Sequence, residues 1–300
     1  MQHTQYSIGV ITNLDTPPFQ ELKDTAWEYG VRLEKISPAH VTLSSFADSD
    51  FLHRLKQFDV IYYRTGLRNS ALEEVAYHMR KAGIPVLNDG ARHHALHKKI
   101  RQALIASRFN IPQPQTIWAQ TIQFNEVADQ LGVPFVVKPD EGSKGNAVAL
   151  IESEKQLHDH LTQYHHKNFI CQKYIEHATE YRVYTVNGKA LASYKKQPGN
   201  NDFRANLHVG GEIRKTEPEM TKLLYPFAEK VSAAFGAEIA GIDILTHDNA
   251  CLFLELNWQP GWRQVQELNG VNFPYETIQY ALKKAHLSKP FYLRLLRSLF

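Results

Sequence analysis

The chain has 300 residues, long for one compact domain and comfortable for two. Its 34 Lys and Arg against 31 Asp and Glu leave a net charge of +3, too small for a polybasic nucleic-acid arm or an acidic tail. Hydrophobic residues at 43% and charged residues at 22% exclude disordered, collagenous and low-complexity classes. Apolar runs such as 8–11 and 239–245 are strand-sized, well short of the roughly 18 to 20 residues that cross a bilayer. The start of the chain shows no basic segment before an apolar core, so no signal peptide is expected. Cys171 and Cys251 cannot build a disulfide framework, and a cytoplasmic protein is expected.

In chain order, Ile8 to Ile11, Val31 to Ile36, Asp59 to Tyr63 and Ile84 to Leu87 read as strands. Phe19 to Tyr29 and Leu72 to Lys81 read as helices between them. This rhythm predicts a parallel sheet with helices on its faces. Arg64 falls just past a strand's carboxyl end, where open α/β sheets place ligands. A basic helical segment over 92–109 leads to Asn110 to Pro114, whose prolines mark a linker or turn. A small α+β module follows: helix 124–131, strands 135–138 and 148–151, helix 154–163 and strand 169–175. From Glu180 the pattern is β-rich. Asn187-Gly188 is the strongest hairpin signal in the chain. Helix 220–235, strands 240–245 and 252–256 around a turn at 246–250, and helix 275–285 complete it.

The sharpest chemical signal is Asp243 with Glu255 and Asn257. In Leu252 to Asn257, alternation places Leu252, Leu254 and Leu256 on one face and Glu255 and Asn257 on the other. Asp243 and Glu255 are equidistant from Asn249, so a hairpin makes them cross-strand neighbours. Two acids so placed repel, and a divalent cation resolves the conflict; carboxylates and an amide suit Mg²⁺. A solvated sheet face shows the same alternation. Lys138, at a strand end before Asp140 to Gly145, offers a point charge and a glycine-containing loop to an anion. An exposed hairpin loop fits that composition equally well. Lys98-Lys99, Lys195-Lys196 and the alternating Arg204, Asn206 and His208 add further basic and polar positions. Solvated faces are the competing reading for each. The tail 291–300 is basic and amphipathic and is expected to pack against the body or a second subunit.

In order along the chain these segments resemble an ATP-grasp ligase of the RimK-like branch, related to glutathione synthetase-like enzymes. The likeness is densest in Asp202 to Gly211, in Ala240 to Leu245, and in Leu254 to Asn257 with Pro260-Gly261 beyond. It implies an α/β and α+β fold: a Rossmann-like pre-ATP-grasp domain over 1–90, a lid subdomain over 91–178, and a metal-binding and catalytic subdomain over 179–300. Lys99 and Lys138 match nucleotide-phosphate lysines, and Gly142, Ser143 and Gly145 the mobile loop over the phosphates. Gln172, Tyr174 and Ile175 match the hinge beside adenine, and Glu180 an acidic position near the nucleotide. Asp243, Glu255 and Asn257 match metal ligands for Mg²⁺, or Mn²⁺ in its place. Arg204 and Asn206, with Lys195, form the expected catalytic set; Arg64, Arg182, Trp258, Gly261 and Arg263 form the expected substrate set. Asn257 to Gln264 departs from the family pattern, which counts against the usual glutamate-adding specificity.

The resemblance implies phosphorylation of a carboxylate by ATP, followed by attack of an amine on the acyl phosphate. The expected partners are ATP, a small-molecule or peptide carboxylate and amine, and a second copy of the chain, without nucleic acid or a membrane span. The alternative within the same fold is an ATP-binding regulatory protein without catalysis.

Overall fold

The computed structural model describes residues 6–12, 17–37, 53–64, 70–89, 97–142, 147–198 and 211–288. The chain forms two compact units, Met1–His94 with Trp258–Phe300, and Ala95–Asn257.

The first unit is built on a parallel sheet of order β2-β1-β3-β4. Its strands are β1 (Tyr6–Ile11), β2 (Val31–Ile36), β3 (Val60–Tyr63) and β4 (Val86–Leu87). β1 and β3 are apolar almost throughout because helices cover both faces of such a sheet. Helices α1 (Pro17–Glu28), α2 (Ser70–Lys81), α7 (Arg263–Asn269) and α8 (Phe273–Ser288) belong to this unit. Ile11, Ile36, Phe58, Ile61, Tyr63 and Met79 are among the side chains of one core cluster. Gly9 has no room for a side chain: a Cβ there would stand 2.8 Å from both Ile36 and Ile61. α8 packs on α1 and β3, and Lys284 Nζ donates to the Val86 carbonyl at 2.9 Å. The closing helix therefore joins the first sheet, whereas the sequence groups all of 179–300 together. Which sheet an amphipathic helix covers is not revealed by periodicity alone.

The second unit holds two antiparallel sheets. One has the order β5-β8-β6-β7, from Thr116–Ile117, Phe169–Lys173, Phe135–Pro139 and Ala149–Ile151. Helices α4 (Phe124–Leu131) and α5 (Glu154–Gln163) cover one face, burying Val127, Leu131, Phe135, Val137 and Leu157. Both helices have the limits that their apolar spacing predicts.

The other sheet has the order β11-β10-β9-β12-β13, from Glu212–Lys215, Lys189–Gln197, Thr179–Val186, Ile239–His247 and Ala250–Asn257. Helix α6 (Pro218–Phe235) packs on one face. The β9–β10 hairpin turns at Asn187 and Gly188, with φ of 54° and 68°, the left-handed pair that a two-residue turn matched to strand twist requires. Asp248 and Asn249 repeat it at 48° and 60°, so β12 and β13 run closer to the turn than the apolar pattern indicates. The short elements β5, β11 and α7 carry too few residues to show a period.

The edge strand β13 is closed by helix α3 (Lys99–Arg108). Gln102 accepts from the Leu256 N–H at 2.8 Å and donates to its carbonyl at 3.0 Å. The Phe253 N–H reaches the Pro112 carbonyl at 2.7 Å. Gln102→Ala is expected to lower stability by about 1–3 kcal/mol, because a buried strand edge loses both partners; a urea midpoint that falls with unchanged slope verifies it.

Candidate active site

A β-strand sends alternate side chains to opposite faces, and the register of the larger sheet aligns one polar row. Lys196 stands opposite Glu180 and Tyr194 opposite Arg182. Arg182 in turn stands opposite Asp243. Asp243 pairs with Glu255, and Gly241 with Asn257. The opposite face carries Tyr181, Thr185 and Ser193, whose side-chain partners are Glu217, Ser232 and Thr216 on and before α6.

The meeting of Asp243 with Glu255 depends on a bulge. Beyond the turn, Ile244 pairs with Phe253, and unbroken pairing would set Asp243 against Leu254. The register shifts between Asp243 and Ile244, so Glu255 takes that place. The same irregularity corrects the expected faces of β13. Cys251, Phe253 and Leu256 are buried, while Leu252, Leu254, Glu255 and Asn257 are not.

Asp243 is buried and held by two cations. Arg182 grips it bidentately, Nε to Oδ1 and Nη2 to Oδ2, both at 2.6 Å. Lys196 Nζ lies 3.1 Å from Oδ1 and also donates to Glu180. Burial favours the protonated acid, but Arg182 and Lys196 outweigh it and hold the carboxyl at about 2. Burial opposes the charge on Arg182 as well, yet Asp243 raises its affinity for its proton. The protein's own cations thus balance the acids that sequence alone leaves in conflict.

Two more lysines enter from the smaller sheet and α3. Lys138 is buried, and its Nζ donates to Gln172 Oε1 at 2.7 Å. Burial, then the Lys99 charge, push Lys138 down to about 8 against the pull of Glu255, Glu180 and Asp243. Lys99 Nζ lies 3.9 Å from Glu255 Oε2 and 3.3 Å from the Gly142 carbonyl. Asp140 anchors the start of α3: its carboxylate accepts from the Ile100 N–H at 2.9 Å, and its carbonyl accepts from the Lys99 N–H at 2.9 Å. Gly142 sits at φ 152°, a backbone region that favours glycine.

The structure brings together Lys99, Lys138, Gly142, Gln172, Glu180, Arg182, Asp243, Glu255 and Asn257 within the second unit. Tyr174 and Ile175 are half-buried just beyond β8. Lys195 belongs elsewhere: it pairs with Glu217 at 3.4 Å on the α6 side. Its neighbour Lys196 is the buried partner of Asp243. Strand alternation counted from Arg182 through the Asn187-Gly188 hairpin points to Lys195, the residue expected from sequence; the register shift between Ala190 and Ala192 puts Lys196 there instead. Ser143, Gly145, Arg204 and Asn206 lie outside the described residues, as does the tail 291–300.

Arg64, Trp258, Gly261 and Arg263 belong to the first unit. Trp258 and Trp262 are buried there, so neither presents an open indole face to a substrate. The Arg64 guanidinium lies 4.2 Å from the Trp262 ring centroid. Glu21 accepts from Trp262 Nε1 at 3.0 Å and pairs with Arg263 Nε at 2.9 Å. Gly261 is exposed, with open space where a side chain would stand.

Among the described residues no group of three or more His, Cys, Asp or Glu is suited to a metal ion. The donor set on this face is instead two carboxylates and one amide, all hard oxygen donors. Glu255 keeps its oxygens available, since Lys99 is 3.9 Å away. Asp243 Oδ2 has a second lone pair beyond the Arg182 contact, whereas Oδ1 also faces Lys196 at 3.1 Å. The set fits a hard divalent cation.

Solved structures define the fold. The ATP-grasp ligase PsnB, complexed with minimal precursor, Mg and ADP, superposes with a TM-score of 0.71 at 15% identity, over 93% of this chain and 97% of that one. A RimK domain ATP-grasp protein from Sphaerobacter thermophilus gives 0.69 at 17% identity, over 92% and 99%. D-alanine–D-alanine ligase from Bacillus anthracis gives 0.67 at 19%, over 95% and 100%. The fold is that of the ATP-grasp ligases. The description RimK-like ATP-grasp domain matches residues 95–281, and the chain belongs to that family. A probable alpha-L-glutamate ligase from Legionella pneumophila (strain Corby) is 27% identical over 91% of this chain and 94% of its own length. One from Methanococcoides burtonii is 28% identical over 90% and 93%. No helix among the described residues is long and apolar enough to cross a membrane.

Arg182→Met is expected to cost about 3–5 kcal/mol by leaving Asp243 buried and underpaired. Lys195→Ala, which removes an exposed pair, should cost less than about 1 kcal/mol. Chemical denaturation of the two variants measures the contrast.

Proposed function

We propose that this chain is an ATP-dependent carboxylate–amine ligase that forms an amide through an acyl phosphate and releases ADP and phosphate. The observation that carries this reading is the single polar face on which Lys99, Lys138, Lys196 and Arg182 meet Asp243, Glu255 and Asn257. Basic groups of this kind suit a triphosphate, and the adjacent oxygen donors suit the cation that accompanies it.

In this reading Lys99 and Lys138 bind phosphate oxygens and fix the γ-phosphoryl group in line with a substrate carboxylate. A carboxylate oxygen attacks the γ-phosphorus, the bond to the β-phosphate oxygen breaks, and ADP departs. An amine then attacks the acyl carbon, expels phosphate and loses a proton. Asp243, Glu255 and Asn257 would hold Mg²⁺ or Mn²⁺, which when bound neutralises charge on the phosphate oxygens. Lys196 and Arg182 keep Asp243 ionised and oriented. Arg204 and Asn206 are proposed to stabilise the acyl phosphate and its tetrahedral successor. Gly142, Ser143 and Gly145 are proposed to cover the phosphates, and Tyr174, Ile175 and Glu180 to line the nucleoside. The relatives' names support an amino acid or peptide as substrate, and a cytoplasmic enzyme that assembles with itself completes the proposal.

Glu255→Gln is expected to reduce amine-dependent release of ADP and phosphate by at least about 100-fold. It is the cleaner test, because Asp243→Asn also strips a partner from Arg182 and Lys196. The assay screens carboxylate and amine pairs, with mass spectrometry of the product. Unchanged turnover in Glu255→Gln overturns the assignment.

ATP affinity is expected to fall as pH rises through about 8, where Lys138 loses its proton. Lys138→Arg keeps the charge and should flatten that dependence. Isothermal titration with ATP across this range measures both.

A further inference from the structure

We infer that Gln172 is a positioning residue for Lys138, acting through a hydrogen-bond chain that ends at Thr116 and Pro114, and that its side chain takes no part in reading the purine. The inference rests on the nucleotide-binding reading above and assigns Gln172 a different task from the hinge role its place in the sequence implies.

Thr116 pairs with Gln172 across β5 and β8. Gln172 pairs with Val136 across β8 and β6, which makes Lys138 its diagonal neighbour on the same face. That face is opposite to the one on which Phe135, Val137, Phe169 and Cys171 form the core. Lys138 Nζ donates to Gln172 Oε1 at 2.7 Å. Gln172 Nε2 donates to Thr116 Oγ1 at 2.9 Å, and Thr116 Oγ1 donates to the Pro114 carbonyl at 3.0 Å.

The chain has one polarity. An ammonium only donates, so the amide must turn its oxygen to Lys138. The Pro114 carbonyl only accepts, so the threonine hydrogen is committed there and its lone pair faces Gln172. Each link therefore fixes the next, and the amide plane is held at both ends. Gln172 is buried, and its oxygen on Lys138 and one N–H on Thr116 fix the orientation of its amide. Lys has a long stem with many rotamers, and one neutral acceptor at its tip selects among them while leaving the positive charge uncancelled. A carboxylate at 172 would hold the lysine more firmly but would neutralise the charge that phosphate needs.

The test compares Gln172→Leu, Thr116→Val and Thr116→Ser. Gln172→Leu should raise the KM for ATP about tenfold with kcat changed less than twofold. The ATP-to-GTP preference and the affinity for adenosine should stay at the wild-type values. Thr116→Val should move KM in the same direction by a smaller factor, and Thr116→Ser, which keeps the hydroxyl, should restore it. A changed ATP-to-GTP ratio, a weakened adenosine affinity, or a Thr116→Val enzyme identical to wild type overturns the inference. A second measurement needs no nucleotide: acetylation of Lys138 by acetic anhydride, quantified by peptide mass spectrometry, should quicken in Gln172→Leu and Thr116→Val relative to Lys155. An unaltered rate overturns the inference even in a protein that binds ATP normally. If the wild-type protein fails to bind ATP, the function proposed above falls, and the acetylation rates alone decide whether Gln172 and Thr116 hold Lys138.

Discussion

The bidentate contact between Arg182 and Asp243, at 2.6 Å on both arms, organises the polar face of the candidate site. A buried carboxylate without partners costs several kcal/mol, and its own attraction to one cation recovers this only with good geometry. Arg182 supplies that geometry because β9 and β12 set the two residues directly opposite. Lys196 from β10 adds the second cation. Three strands are thus locked in register by one charge, and a one-residue slip of any of them would turn its member of the network to the helix-covered face.

The balance differs a few ångströms away. Lys138 is buried against a neutral amide, and Lys99 is only distantly paired with Glu255. These cations are less fully compensated than Arg182, which is the condition for drawing in an anion. The low proton affinity of Lys138 expresses the same fact: its charge is tolerated and not fully repaid. One face therefore combines a closed ion-pair network that gives rigidity with an open one that offers attraction.

Much of the site can be read from residue order. Asp243, Glu255 and Asn257 break apolar strand patterns, and such interruptions stand out because a buried strand face is otherwise uniform. The Asn187-Gly188 turn and helices α4 and α5 follow equally directly from local chemistry. Lys195 and Lys196 were a different matter. Adjacent identical residues give no sign of which faces the acids until the strand's pairing partners are known. The family resemblance puts Trp258 in the expected substrate set, yet Trp258 and Trp262 are both buried.

The sequence by itself determined the family, the order of strands and helices, and the charged and amide residues of the candidate site, because these depend on local alternation and on side-chain chemistry. Only the tertiary structure decided that a bulge brings Glu255 opposite Asp243, that Lys196 and not Lys195 completes the network, that Gln172 serves Lys138, and that the last helix joins the first sheet. Each of these is set by contacts between segments distant in the chain, where register and packing choose among arrangements that local pattern leaves equal.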